Sequence, residues 1–522
     1  MPDWRSRELG GSMSDQEYDV VVIGAGPTGE NVADRARRGG LSVAVVESEL
    51  AGGECSYWAC IPSKALLRPA AALAAARAVG GARQAVTGEL DVAAVLARRT
   101  KFTHNWSDDS GQVKWIEGTG STLIRGRARL TGERTVEVTG PDGGPDGDTV
   151  TVTARRAVVV ATGSAAAIPP VRGLAESLVW TSREATSSEL VPGRLAIIGG
   201  GVVACELATA WRALGAEVTM LVRGGGLLDK LEPFAGELVA GALRSAGVDV
   251  RLDTRVSQVR RLSRATPVEL WISDPDPGPA GAAQADPAQA GAARPTQADA
   301  ARPADLVADE LLVAVGRTPR TTGLGLESVG LTPGDWLTVD DSGLVEAVPG
   351  GWLYAVGDVN HRNLLTHMGK YQARACGDAI VARSRGELDG PPRPWTPLAA
   401  SADHLGAPQV VFTDPEVAAV GLTEAQALRQ GLPVRAVDYE LGHVAGAALA
   451  ADGYPGQARF VVDEERKVLV GATFAGPGTA ELLHAATIAV VGEVPLARLW
   501  HAVPSFPTIS EVWLRLLEAY GL

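Results

Sequence analysis

The sequence predicts an α/β protein with two Rossmann-like dinucleotide-binding domains, followed by a C-terminal α+β domain. Three observations carry this reading. Residues 18–47, YDVVVIGAGPTGENVADRARRGGLSVAVVE, run as an apolar β-branched strand, a Gly-rich turn, an Ala/Arg helix and a second strand. Residues 194–222, RLAIIGGGVVACELATAWRALGAEVTMLV, repeat that order, with Gly199, Gly201 and Ala204 at the matching turn positions. After residue 400 the pattern changes to QVVFTDPEVAAVGL, ARFVVDEERKVLVGATFAG and a helical TAELLHAATIAVV, which reads as an α+β unit.

Each βαβ unit has a physical purpose. In the first, Gly24, Gly26 and Gly29 let the turn approach a pyrophosphate, and the helix that follows points its positive end at that phosphate. Glu47 closes the second strand, where a carboxylate accepts hydrogen bonds from a ribose. The second unit has Val222 where such an acid is expected, and then Arg223. An arginine there pairs with a 2′-phosphate and favours NADP(H) over NAD(H), whereas a merely solvated Arg after a strand leaves the choice open.

Composition bounds the rest. The chain has 522 residues, enough for roughly three or four domains. Its net charge of −13, with no Lys/Arg cluster, argues against nucleic acid as a partner. No apolar run reaches the roughly 18 residues that cross a bilayer, so no membrane partner is expected. Residues 1–17, MPDWRSRELGGSMSDQE, lack the apolar block of a secretory signal, and the expected location is cytoplasmic. Between the βαβ units, TVEVTG and TVTVTARRAVVVATG read as strands, with PDGGPDGD as a loop between them. Residues 274–305 are almost entirely Ala, Pro, Gly, Gln and Asp and read as a disordered expansion of a hairpin loop.

Cys55 and Cys60 stand five positions apart in GGECSYWACIPSK, residues 52–64, and account for two of the four cysteines. Three readings compete for them. Zinc needs two further Cys or His ligands at short spacing, and none is near, so no metal site is expected. Buried apolar filler is the second, and is the expectation for the isolated Cys205 and Cys376. The third is a redox pair, with both thiols on one side of a helical turn and a helix N-terminus lowering one thiol pKa.

The order of GAGPTG, GGECSYWACIPSK, ATGS, GGGVVACE, VGRTP, LYAVGD and FPTISE resembles the pyridine nucleotide-disulfide oxidoreductases, the family of dihydrolipoamide dehydrogenase, glutathione reductase and mercuric reductase. The resemblance runs from about residue 18 to the C-terminal end. It implies an FAD enzyme using NAD(P)H, in which Gly24, Gly26, Gly29 and Glu47 bind the ADP half of FAD. Asp358 would bond the flavin side of that cofactor, Thr162 and Gly163 would line the FAD domain, and Gly316 of VGRTP would lie in the cofactor-binding set. Cys55 becomes the interchange thiol, Cys60 the charge-transfer thiol, and Lys64 with Glu206 an ion pair near the flavin. Residues 1–17 are then a disordered N-terminus, 18–165 the first part of the FAD domain, 166–318 the NAD(P) domain, 319–398 the rest of the FAD region and 399–522 a dimerisation domain. A homodimer follows, acting on a small-molecule or small-protein redox substrate.

The sequence also departs from the family. The family's active-site His stands immediately before Pro-Thr and is held by a Glu five positions on. Here HAVPSFPTISE has Phe506 in that place and keeps Glu511; His501 is the nearest histidine. Tyr57 and Trp58 are bulkier than the family's usual residues between the cysteines. Besides disulfide reduction, two alternatives stay open. One is direct reduction of quinones, metal ions or dyes at the flavin; the other is a flavin redox sensor without turnover.

Overall fold

The computed structural model describes residues 16–140, 149–273 and 302–522. The expected PDGGPDGD loop and most of the 274–305 insertion lie outside these residues. The chain divides into two compact units. One comprises residues 1–165, 317–412 and 416–522; the other comprises 166–316 and 413–415.

The larger unit is built on a seven-stranded sheet. β1 (Gln16–Ile23) leads through α1 (Pro27–Arg38) to β2 (Val43–Glu47), the first βαβ unit of the sequence. β1 pairs in parallel with β2 and with a later, longer strand, Thr149–Val160. Strand Leu353–Ala355 pairs in parallel with the other edge of Thr149–Val160. Val20, Val21 and Val22 are fully buried, which explains an unbroken apolar run instead of an alternating one: both faces of this sheet are covered. β1 starts at Gln16, because Gln16 and Glu17 pair with Val152 and Thr153, so these two residues belong to a strand and not to the expected disordered N-terminus.

A short helix and a longer one follow β2. α2 spans Gly53–Tyr57 and α3 spans Cys60–Arg77. A long helix, Thr366–Ser384, carries the chain back beside α1: Arg35 holds Asp378 through a two-pronged ion pair, with Nε 2.8 Å from Oδ1. The C-terminal part of this unit is a five-stranded antiparallel sheet of Gln409–Val411, Glu416–Gly421, Val434–Glu440, Gln457–Asp463 and Val468–Gly476. Helices Leu483–Val491 and Val512–Tyr520 contribute to its core, where the Phe460, Phe474 and Trp513 rings meet.

The smaller unit holds the second βαβ motif. Strands Asp249–Arg251, Glu217–Leu221, Arg194–Ile198 and Glu310–Val313 form a parallel sheet in that order, with helix Val202–Ala213 connecting Arg194–Ile198 to Glu217–Leu221. A three-stranded antiparallel sheet adds Arg255–Arg260, Val268–Ser273 and Leu306–Ala308. Residues 274–305 thus connect two neighbouring antiparallel strands. The last four of them do not fit the expected disorder: the Asp305 carboxylate accepts from Ile272 N and from Arg302, which ties residues 302–305 to the sheet.

Candidate active site

The first glycine turn has the shape a phosphate needs. Gly24 adopts φ +106°, and a Cβ there would lie 2.5 Å from the Ala161 carbonyl oxygen. A Cβ at Gly29 would lie 1.9 Å from the Gly24 carbonyl oxygen, so the helix can start this close to the strand only with glycine. Gly26 differs: the nearest atom to a Cβ there is 4.0 Å away, leaving the outer side of the turn open. The Glu47 carboxylate is fixed by two backbone donors, Ala25 N at 2.7 Å and Glu49 N at 2.7 Å. The second turn repeats the geometry: a Cβ at Gly199 would meet the Ala314 oxygen at 2.3 Å, Gly201 is open, and Ala204 is buried. Arg223 is exposed just beyond Val222.

Further residues of the larger unit gather around Asp358. Its carboxylate accepts from Ser164 Oγ at 2.5 Å and lies 3.7 Å from Arg317 Nε, which also reaches Ser164 Oγ at 2.5 Å. Thr162 Oγ1 is buried with no hydrogen-bond partner, an orphan beside the turn that bound FAD would fit. The open Gly26, the fixed Glu47 carboxylate and orphaned Thr162 together suit a dinucleotide with a ribose and a pyrophosphate. Gly163 takes φ +71°, Gly316 takes φ +145°, and a Cβ at either would meet nothing within 4 Å.

The cysteine pair is arranged differently from the single helical turn its spacing suggested. Cys55 lies in α2 and Cys60 opens α3; the chain breaks at Trp58 and Ala59, where Ala59 has φ −128° and ψ −97°. Distant residues hold the break in place. Trp106 Nε1 donates to the Tyr57 carbonyl at 2.7 Å, and Arg320 Nη2 reaches Glu54 Oε1 at 2.7 Å. Tyr57 and Trp58 supply the bulk noted in the sequence, with ring centroids 5.7 Å apart. Both cysteines are free and half-buried.

Their acidities are split. Cys60 is held below the ordinary thiol range, first by the hydrogen bond from Cys55, then by Thr366 Oγ1 at 3.3 Å and by the Lys64 charge one turn along α3. Cys55 is pushed up, first by that same bond and then by burial. One proton therefore sits on Cys55 and is shared toward a Cys60 thiolate, and Cys60 as the first residue of α3 gains further from the helix dipole. The other two cysteines are inert by comparison: burial pushes Cys205 up to about 12 and drives Cys376 higher still.

Lys64 Nζ lies 4.8 Å from the Phe412 ring centroid. Glu206 is buried in helix Val202–Ala213 of the smaller unit. At the C-terminal end, Phe506 is 75% exposed, and Glu511 is buried with Oε1 bound to Arg515 at 2.5 Å and Oε2 without a partner. His501 is exposed on the preceding turn. Among the described residues no cluster of three or more His, Cys, Asp or Glu could hold a metal ion, and no helix is long and apolar enough to cross a membrane.

Residues 18–373 match the family model for pyridine nucleotide-disulphide oxidoreductases. The chain belongs to that family. Residues 407–516 match the family's dimerisation domain. Dihydrolipoyl dehydrogenase 3 of Pseudomonas aeruginosa is 32% identical over 511 residues, covering 95% of this chain and 96% of the relative. A mercuric reductase of Shigella flexneri is 32% identical over 94% of this chain and 78% of its own length. Two solved structures share the fold: the HOCl-induced flavoprotein disulfide reductase RclA of Escherichia coli as a Cu(II) complex, and LpdA of Mycobacterium tuberculosis. The first has a TM-score of 0.76 at 21% identity, covering 96% of this chain and 99% of that one. The second has a TM-score of 0.76 at 22% identity, covering 97% and 100%. The chain is thus an oxidoreductase of a flavin- and NAD(P)H-using family, and it carries that family's dimerisation domain.

Sequence reasoning missed several residues of the site. Ser164 follows the ATG of ATGS and Arg317 sits inside VGRTP, so their motifs were visible although their roles were not. Thr366, Glu54 and Arg320 gave no local signal, since each acts through a partner hundreds of positions away.

Proposed function

We propose that the protein is a homodimeric, cytoplasmic FAD enzyme that passes electrons from NAD(P)H to the Cys55–Cys60 disulfide and on to a small disulfide-type acceptor. The split acidity of the two thiols supports this most strongly, because a resting thiolate and a proton-bearing neighbour are what disulfide exchange needs. FAD held at Gly24, Gly26, Gly29, Glu47, Thr162, Gly163 and Asp358 supplies two-electron transfer between nicotinamide and disulfide. Gly199, Gly201 and Ala204 receive the nicotinamide coenzyme, and Arg223 reads a 2′-phosphate, which favours NADP(H). Gly316 lies in the cofactor-binding set, and Lys64 and Glu206 are each assigned a charge role in the flavin chemistry.

In the outgoing half-reaction Cys55 passes its proton on and attacks one acceptor sulfur, which forms a mixed disulfide and releases one thiol. Cys60 then attacks Cys55 Sγ, the internal disulfide closes, and the second thiol leaves with a proton from solvent. The balance is NAD(P)H + H⁺ + RSSR → NAD(P)⁺ + 2 RSH.

Phe506 favours a second reading, direct reduction of a metal ion or quinone at the flavin, because phenylalanine cannot carry the proton that the family's His carries. Anaerobic thiol titration before and after one equivalent of NADPH separates the two. Two new thiols per chain support the disulfide path; an unchanged count overturns it.

A further inference from the structure

The long helix Thr366–Ser384 brings one more charge to the cysteine pair. Thr366, its first residue, touches Cys60, and Lys370 follows four residues later, one turn along the same face. That turn is pressed against the start of α1: a Cβ at Gly369 would lie 2.5 Å from Thr28 Oγ1. The start of α1 is in turn pressed against the start of α2, where a Cβ at Gly53 would lie 2.9 Å from Gly26 Cα. The starts of three helices thus converge where Cys55 sits.

Lys370 is half-buried and makes no hydrogen bond or ion pair among the described residues. Its charge nevertheless acts on two neighbours, drawing down both the Cys55 thiol and the Glu30 carboxyl. Glu30, on α1, is 7% exposed and leaves Oε1 without a partner. An ammonium partly withdrawn from water with no protein anion in contact is costly unless a ligand supplies the counter-charge.

We propose that Lys370 is a specificity-determining residue that pairs with a carboxylate or phosphate of the acceptor as Cys55 attacks it, so that the enzyme prefers anionic disulfides. This rests on Cys55 being the interchange thiol. Glu30 acts in the opposite sense and limits the preference. The FAD pyrophosphate is the other anion that Lys370 could meet, and flavin affinity distinguishes the two.

The test alkylates the NADPH-reduced, full-length holoenzyme with iodoacetate or iodoacetamide, reagents of equal reactivity type that differ in charge, and follows the Cys55 peptide by mass spectrometry. In the wild type the iodoacetate to iodoacetamide rate ratio should exceed that of a free thiol. Lys370→Met should lower it about three- to tenfold at low salt and less at high salt. Lys370→Arg should keep it, Glu30→Gln should raise it, and FAD affinity should stay the same in Lys370→Met. An unmoved ratio in a flavin-loaded Lys370→Met protein overturns the proposal, as does weakened FAD binding with an unmoved ratio. A Cys55 that is not alkylated at all in reduced wild type removes the interchange role itself, and the proposal with it.

Discussion

Thr366 Oγ1 lies 3.3 Å from Cys60 Sγ, which joins the first turn of the long helix to the first residue of α3 across 306 positions of sequence. A hydrogen bond to a thiolate favours the charged form. Thr366→Val should therefore move the Cys60 titration upward by about one pH unit and reduce the thiolate fraction at neutral pH. Thiolate absorbance followed against pH reads this directly; an unchanged midpoint would remove Thr366 from the site.

The two cysteines should also differ in their spectra. Cys60→Ser should eliminate the long-wavelength band that a thiolate gives against an oxidised flavin, whereas Cys55→Ser should keep or strengthen it by leaving Cys60 unpaired. The reverse pattern would exchange their roles.

Arg223→Glu should raise the KM for NADPH at least about tenfold more than that for NADH, because a phosphate partner becomes a repelling carboxylate. Steady-state kinetics with both coenzymes checks it. Equal effects would show that Arg223 is a solvated surface residue.

Burial raises the Glu30 carboxyl from 4.5 to about 7, and Lys370 only partly opposes this. The folded state thus keeps a proton that the unfolded chain has released. The stabilisation is complete below about 4.5 and is lost as pH rises through about 7. Glu30→Gln should flatten this decline, changing the stability difference between pH 5 and pH 8 by on the order of 2–3 kcal/mol in denaturant titrations. Parallel pH profiles for variant and wild type would contradict it.

Phe506→His tests the departure from the family. Glu511 keeps Oε2 buried without a partner, so it can still orient an imidazole five residues before it. Dihydrolipoamide oxidation should be slow in the wild type and rise by about tenfold or more in the variant. His501→Ala should change little, since His501 is exposed. Fast oxidation by the wild type that disappears in His501→Ala would make His501 the displaced base.

Both dinucleotide turns were legible in the sequence because their glycines answer to local constraints: a carbonyl 1.9 Å from a would-be Cβ permits no other residue at Gly29. The cysteine pair was legible from its spacing and from the IPSK that follows. The break at Trp58–Ala59 was not, because the donor that fixes it, Trp106 Nε1, is 49 residues away and leaves no periodic signal. Glu30 reads locally as an ordinary first-turn acid of a helix. Only the fold shows that it is buried beside other charges.

The burial of Cys205 and Cys376 sets how the protein can be counted by its chemistry. With both thiols driven far above neutral pH and closed to solvent, a four-cysteine chain answers a gentle thiol reagent as though it had two at most. On the proposed disulfide path, native counts of zero and two should then report the oxidised and reduced enzyme. A count that climbs toward four reports unfolding, so one assay reads redox state and integrity together.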